Sequence, residues 1–228
     1  MELDTSVAAR ATPGGKGWNP TAINLLSTII RCDVDDTFNH RTEHQYLFRV
    51  LNGAVRKCLL TADGRRQIVD FLLPGDVSGF GARDDYDFSM ETISAGTTIA
   101  RYPRRALEDL TESDREVSRW VREMAFNSIS RLQTRTLILG HTSAVARVAA
   151  FLLEWSDRCE PPEDSISLPM SRYDIADYLA MAVETVSRAF TSLRTRRVIA
   201  FRGTRDFSIC SRHALELTTE GGDAAPVN

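Results

Sequence analysis

The chain lacks any run of roughly 18–20 uninterrupted apolar residues, so no segment reads as a membrane-crossing helix. It has only four cysteines, Cys32, Cys58, Cys159 and Cys210, and no pair stands at CxxC spacing. That count and scatter exclude a disulfide framework and the usual zinc and iron–sulfur patterns, leaving buried structural thiols as the expectation. The four histidines, His40, His44, His141 and His213, are isolated from any nucleophile motif. No Walker, dinucleotide-binding or paired-carboxylate signature occurs either, so catalysis is not expected. His40 and His44 have the i,i+4 spacing of a metal pair, but they fall where strands begin and read as loop residues. The N-terminal Met1-Glu2-Leu3-Asp4-Thr5 has no basic segment leading into an apolar core, so no secretory signal is read and the cytoplasm is the expected compartment. A large charge of either sign is also missing: the net value is −3, which alone would not mark a nucleic-acid binder.

What is present is an ordinary globular balance, 43% hydrophobic and 26% charged residues, in 228 residues that suit two modest domains. Residues 1–21, centred on Pro13-Gly14-Gly15-Lys16-Gly17, read as a flexible arm, and the tail from Thr218 as frayed. Residues 22–112 form the first domain. Within it Tyr46, Phe48 and Val50 alternate with other residues, and Asn52-Gly53 and Asp63-Gly64 signal hairpins. Further short strands are read at 54–60, 67–73, 90–93 and 97–100, a spacing that argues for a compact antiparallel roll or jelly roll. Residues 113–140 read as one long helix in which Val117, Val121, Met124, Ser128, Leu132, Arg135 and Leu139 recur at spacings of four and three, the period of a coiled-coil seam whose apolar members, Val117, Val121, Met124, Leu132 and Leu139, are the candidate dimer contacts. Two arrangements satisfy such a helix: pairing with a second copy, or lying on its own barrel. Its length favours pairing. Residues 141–228 form the last domain, opening with a helix whose inner face holds Val145, Val148, Ala149 and Leu152. The fold class is therefore α+β.

The last domain carries the function. Although the protein is acidic overall, Leu168 to His213 holds eight arginines against four acids, the local charge that phosphate contact requires. Ser171-Arg172-Tyr173-Asp174 has the Ser-x-x-acid form of a capping box, with Asp in place of the usual Glu or Gln. A helix with apolar Ile175, Ala176, Tyr178 and Leu179 follows, then the short link Ala180-Met181-Ala182, which lacks the common glycine, and a second helix from Val183 to Thr195. Two helices joined so tightly are a helix-turn-helix. At about 100° per residue, Val186, Ala189, Phe190 and Leu193 gather on one side of the second helix and Glu184, Ser187, Arg188 and Thr191 on the other. The latter set suits base reading: Arg pairs bidentately with guanine, Glu accepts from cytosine N4, and hydroxyls serve several edges or a phosphate. The competing reading is an i,i+4 pair of Glu184 and Arg188 on a solvated helix. Residues 196–209 read as the hairpin wing of a winged module. Ser171, Arg172, Thr185, Thr191, Arg194, Arg196 and Arg197 are the candidate phosphate contacts.

Over roughly residues 22–215 these features resemble the CRP/FNR family of bacterial regulators, in its FNR and FixK-like branch. The strongest motif is Ser171-Arg172-x-Asp174-Ile175-Ala176-x-Tyr178-Leu179 followed by Glu184-Thr185-Val186-Ser187-Arg188. Gly53-x-Val55-Arg56, Asp63-Gly64-Arg65-Arg66-Gln67-Ile68 and Phe71-Leu72-x-Pro74-Gly75-Asp76 resemble the family's β-roll, the architecture of cyclic-nucleotide-binding domains. The resemblance implies a homodimer on double-stranded DNA, with Glu184 and Arg188 reading the TTG/CAA part of a two-fold site and Ser187 and Val183 tuning the flanking base. It also implies recruitment of RNA polymerase, chiefly as an activator. The chain departs from the family's sensors. Residues 1–31 contain no cysteine, so no iron–sulfur cluster is expected. The stretch from Gly75 to Glu91 has no arginine beside Ser89 to pair with a cyclic-nucleotide phosphate, and Glu91 is expected to repel one. Members without either sensor resemble the FixK type and serve low-oxygen or nitrogen-related genes. The alternative is a regulator of the same fold gated by another small molecule in the roll.

Overall fold

The computed structural model describes residues 3–4, 21–39, 45–61, 64, 66–80, 87–159 and 165–220. They form two compact units divided between Arg131 and Leu132. The first contains β1 (Leu3–Asp4), α1 (Thr21–Leu26), β2 (Thr28–Cys32), β3 (Thr37–Asn39), β4 (Tyr46–Asn52), β5 (Val55–Leu60), β6 (Arg66–Leu72), β7 (Val77–Ser78), β8 (Asp87–Thr92), β9 (Thr97–Pro103) and α2 (Arg104–Ser113). It also contains most of α3 (Arg115–Gly140).

The strands make two antiparallel sheets, ordered β1-β2-β9-β4-β7 and β3-β8-β5-β6. Successive strand residues point to opposite faces, and the larger sheet is covered on both. Ile30, Phe48, Val50 and Ile99 turn inward to meet Phe38, Val55, Leu72 and Met90 of the smaller sheet. Leu47, Ala100 and Tyr102 turn the other way, onto Ile23 of α1, Leu107 of α2 and Val117, Trp120 and Met124 of α3. This explains why β4 is buried continuously from Leu47 to Val50 where a half-buried strand would alternate. The Asn52-Gly53 turn works only with glycine: Gly53 has φ +83° and a Cβ there would come within 2.9 Å of the Thr97 Cα.

Strand β2, paired along its length with β9, lies in the stretch ahead of the strands read from the sequence. Of the arm expected over residues 1–21, Leu3 and Asp4 pair with Ile30 and Ile29 as an edge strand and Thr21 opens α1; the rest lies outside the described residues, as do His40 and His44.

The long helix departs from expectation in three ways. It begins at Arg115, because Ser113 ends α2 and Asp114 takes an extended conformation, φ −121° and ψ 110°. The division between units falls inside it and not at Gly140-His141. Most importantly, Val117 and Met124 are buried in the core of their own chain, and Val121 packs against that core, so these three do not form an exposed seam. Leu132 is exposed and Leu139 half-buried, and the other large exposed apolar side chains of the helix are Phe126, Ile129 and Leu137. The helix has two apolar stripes; the one read as a seam in its first half is the one that covers the roll.

Arg131 fastens this helix to the roll. Its Nε lies 3.3 Å from Asp70 Oδ2 and its Nη1 2.8 Å from Asp76 Oδ1, all three side chains being largely buried. A charge pair taken out of water is costly to break on one side, because the survivor stays buried without its partner.

The second unit holds the last turns of α3, then α4 (Ala144–Arg158), β10 (Ile166–Ser167), α5 (Arg172–Tyr178), α6 (Val183–Thr195), β11 (Ile199–Arg202), β12 (Asp206–Ile209) and α7 (Arg212–Thr219). Helix α4 runs through its core with Ala146, Val148, Ala149, Phe151, Leu152 and Trp155 buried; Val145, expected among them, is only half-buried. Thr218, expected in a frayed tail, is buried in α7 and donates to the Ala214 carbonyl at 2.8 Å. No helix among the described residues is long and apolar enough to cross a membrane.

Truncating Arg131 to alanine is expected to destabilise the protein by about 3–5 kcal/mol, since it removes the guanidinium that pairs with largely buried Asp70 and Asp76. Urea titration of the variant against the wild type measures this, and a loss within about 0.5 kcal/mol would mean that the triad is stabilising in appearance only.

Candidate nucleic-acid interface

Helix α5 starts on the capping box. The Ser171 Oγ accepts from the Asp174 amide at 3.1 Å, and the Asp174 Oδ2 accepts from the Ser171 amide at 2.9 Å and its hydroxyl at 2.7 Å. Aspartate therefore serves where Glu or Gln is usual, and the Ser171 hydroxyl, expected at a phosphate, is already engaged as a cap.

The other end of α5 turns sharply. Ala180 takes the left-handed conformation, φ 51°, which costs a residue with a Cβ about 1–2 kcal/mol. It occupies the place glycine usually takes in this kind of helix end, with Ala180 N–H bonded to Asp177 O at 3.2 Å and Met181 N–H to Ala176 O at 2.9 Å. Arginines hold the last two carbonyls: Arg135 donates to Tyr178 O at 3.3 Å and Arg147 to Leu179 O at 3.3 Å.

Beyond this corner, α6 buries Val186, Ala189, Phe190 and Leu193. Glu184, Ser187, Arg188, Thr191 and Arg194 are exposed, with Val183 and Thr185 half-buried. The i,i+4 pair of Glu184 and Arg188 is not formed among the described residues, and both side chains stand clear. The N-cap, Ala182, has no side-chain oxygen to offer; the Thr185 amide turns to the Ala182 carbonyl at 3.0 Å, and the Val183 and Glu184 amides at the very start of α6 keep their donor capacity for an anion. At the other end Arg196 is half-buried, and Arg197 is exposed in a left-handed conformation, φ 57°. Strands β11 and β12 then pair as a hairpin around Gly203, with β10 alongside β12.

Arg172 stands differently from the other candidates. Its guanidinium carbon lies 3.4 Å from the ring centre of Phe190 and 4.9 Å from that of Phe201, joining α5 to α6 and to the wing. Burial lowers its pKa to about 10, which still leaves it charged near neutrality. With Ser187, Thr191, Arg194, Phe201, Gly203 and Thr204 it lines a cleft of about 210 Å³ between α6 and the wing. As site residues Phe201, Thr204 and Arg147 have no signal in the sequence, and Arg135, which the periodicity places in the helix seam, instead reaches Tyr178 O; long-range neighbours leave no local periodicity.

In the roll, Glu91 turns away from the inner face, where Met90 is buried, and pairs with Arg56 at 2.7 Å and Arg66 at 2.9 Å. Its charge is offset there, so the repulsion expected of it does not arise. Phe88, next to Ser89, lies under the Lys57 ammonium at 4.6 Å, and Lys57 donates to Ser78 at 3.1 Å. Cys32 and Cys58 are buried as expected, but Cys159 is only half-buried and Cys210 is exposed. Burial, then Asp36 and Asp33, push the Cys32 thiol up to about 11, which keeps it protonated and unreactive.

A double-sheet roll, a long helix and a winged helix-turn-helix with an arginine-rich outer face define a DNA-binding regulator of transcription. Residues 146–218 match the Crp-like helix-turn-helix domain. The chain is 41% identical over 168 residues to the nitrogen fixation regulation protein FixK of Rhizobium meliloti, covering 74% of this chain and 75% of that protein. It is 30% identical over 161 residues to the transcriptional activator protein Anr of Pseudomonas aeruginosa, covering 69% of this chain and 66% of the other. The structure of FixK2 from Bradyrhizobium japonicum superposes with a TM-score of 0.74 at 33% identity, over 89% of this chain and 98% of that one. The chain belongs to the CRP/FNR family, in its FixK-like branch, and is a DNA-binding transcription activator of that family.

Replacing Ala180 by glycine relieves the left-handed strain and is expected to stabilise the protein by about 1 kcal/mol, raising Tm by roughly 2–4 °C. Differential scanning calorimetry checks this; a lowered Tm would mean that the methyl group makes contacts worth more than the strain.

Proposed function

We propose that the protein binds as a homodimer to a two-fold symmetric site of the TTG-N8-CAA type and recruits RNA polymerase, without a cyclic nucleotide or an iron–sulfur cluster. In this reading Glu184 and Arg188 recognise base edges in the major groove, with Ser187 and Val183 tuning the flanking base. Thr185, Thr191, Arg194, Arg196 and Arg197 serve phosphates, and Arg172 acts from the cleft beside the wing. Ser171 contributes as the cap of α5 more than as a contact. The observation that carries the reading is the pairless exposure of Glu184, Ser187 and Arg188 on a helix whose opposite side is buried.

The seam proposed for pairing is the second stripe of α3. Ala125, Ile129, Leu132, Thr136 and Leu139 recur at spacings of four and three, with exposed Phe126 beside them. Independence from a cyclic nucleotide is supported by Phe88 beside Ser89, where a phosphate would need an arginine, and by the apolar filling of the roll interior. The resemblance to FixK proteins favours target genes for low-oxygen or nitrogen metabolism.

A gel-shift titration without added ligand, against a TTG-N8-CAA duplex and a scrambled duplex, tests this directly. Tight, salt-dependent binding to the palindrome alone is expected. Binding to neither would transfer support to a regulator gated by a small molecule in the roll. Arg188→Ala is expected to cost about 1–3 kcal/mol and to relax discrimination at one base pair; equal weakening on every sequence would make Arg188 a phosphate contact instead.

A further inference from the structure

Every carbonyl in the last turn of α5 has a defined acceptor role. Ile175 O takes the Leu179 amide, Ala176 O the Met181 amide and Asp177 O the Ala180 amide. Beyond them, Tyr178 O and Leu179 O accept from the guanidinium groups of Arg135 and Arg147 at 3.3 Å each. Both arginines also bring positive charge to the negative end of a helix dipole.

The geometry of each arginine adds to this. Arg135 stacks its guanidinium 4.9 Å from the ring centre of Tyr178, a side chain that is itself buried and packed 5.8 Å from the Phe151 ring. Arg147 uses both arms of its fork. Nη1 reaches Leu179 O, and Nη2 reaches His141 O at 2.9 Å, so one guanidinium bridges the ends of α3 and α5. A lysine, a point charge on a flexible stem, has no rigid fork to span two carbonyls in this way. The corner they hold contains the strained Ala180, and only Leu179, Ala180, Met181 and Ala182 separate α5 from α6. Any play at Tyr178 or Leu179 is passed directly to the angle at which Glu184 and Arg188 are presented.

We propose that Arg135 and Arg147 are positioning residues for operator reading: the last turns of α3 and the first turn of α4 hold the helix-turn-helix corner, and base discrimination depends on that hold. This rests on the base-reading role of α6 given above. It makes α3 an active part of recognition, because Arg135 lies on the helix whose other stripe is the proposed pairing seam.

The test uses the full chain with Arg135→Ala, Arg147→Ala and Arg147→Lys, titrated against the palindromic and scrambled duplexes over a range of salt. Circular dichroism establishes folding. Each alanine variant is expected to lose at least tenfold in palindrome affinity while binding the scrambled duplex as the wild type does, so that the ratio falls tenfold. The salt slope is expected to stay unchanged, since neither residue is assigned a phosphate. Arg147→Lys keeps the charge without the fork and is expected to lose at least threefold, which preserves the test if Arg147→Ala fails to fold. An unchanged ratio in folded variants overturns the proposal, as does a salt slope reduced by about one, which would make the arginine a phosphate contact. Failure of the base-reading role itself gives a different result: the wild type would not discriminate between the duplexes, and this inference would fall with it.

Discussion

Four side chains, Val186, Ala189, Phe190 and Leu193, bury one side of α6, and most of what the molecule offers to DNA follows from that packing. A helix fixed on one side has no rotational freedom left, so the residues near 180° away are presented in a set order. Glu184, Ser187 and Arg188 are exposed near its N-terminal end because Val186 and Ala189 are not. The apolar burial is non-directional and strong; the polar outer face contributes little to folding and is free to be chosen for chemistry.

Polar contacts add to this anchoring of α6. At its start the chain passes through a corner with a left-handed alanine, and the carbonyls there depend on arginines brought from α3 and α4. Near its middle Phe190 lies against the guanidinium of Arg172, which also meets Phe201 in the wing. Helix α3 shares in this arrangement and in another: Arg131 is tied to Asp70 and Asp76 in the roll, and Arg135, one turn further on, is tied to Tyr178. Arginine suits these tasks because its planar fork meets carboxylates, carbonyls and aromatic faces while remaining charged.

The sequence was legible where a local rule operates. The capping box at Ser171, the turns at Asn52-Gly53 and at the wing, and the two-sided pattern of α6 all depend on residues within a few positions of one another. Strand β2 was less legible because its central place in a sheet depends on β9, some seventy residues away. The seam on α3 was misread in its first half for a related reason. Two apolar stripes of similar quality run along that helix, and periodicity cannot say which turns inward; burial of Val117, Trp120 and Met124 decides it.

By itself, then, the sequence determined the α+β class, the place of the helix-turn-helix and the identity of its outward residues, since these rest on spacing, capping and turn chemistry. Tertiary structure alone decided that Glu91 is neutralised by Arg56 and Arg66, that Arg172 sits between two aromatic rings, and that Arg135 and Arg147 close the corner before α6. Each of these joins residues from separate elements, and their partnership depends on how the chain is folded back. A buried charge or an unsatisfied carbonyl selects whichever group the fold brings within reach, and nothing in the local order of residues records that choice.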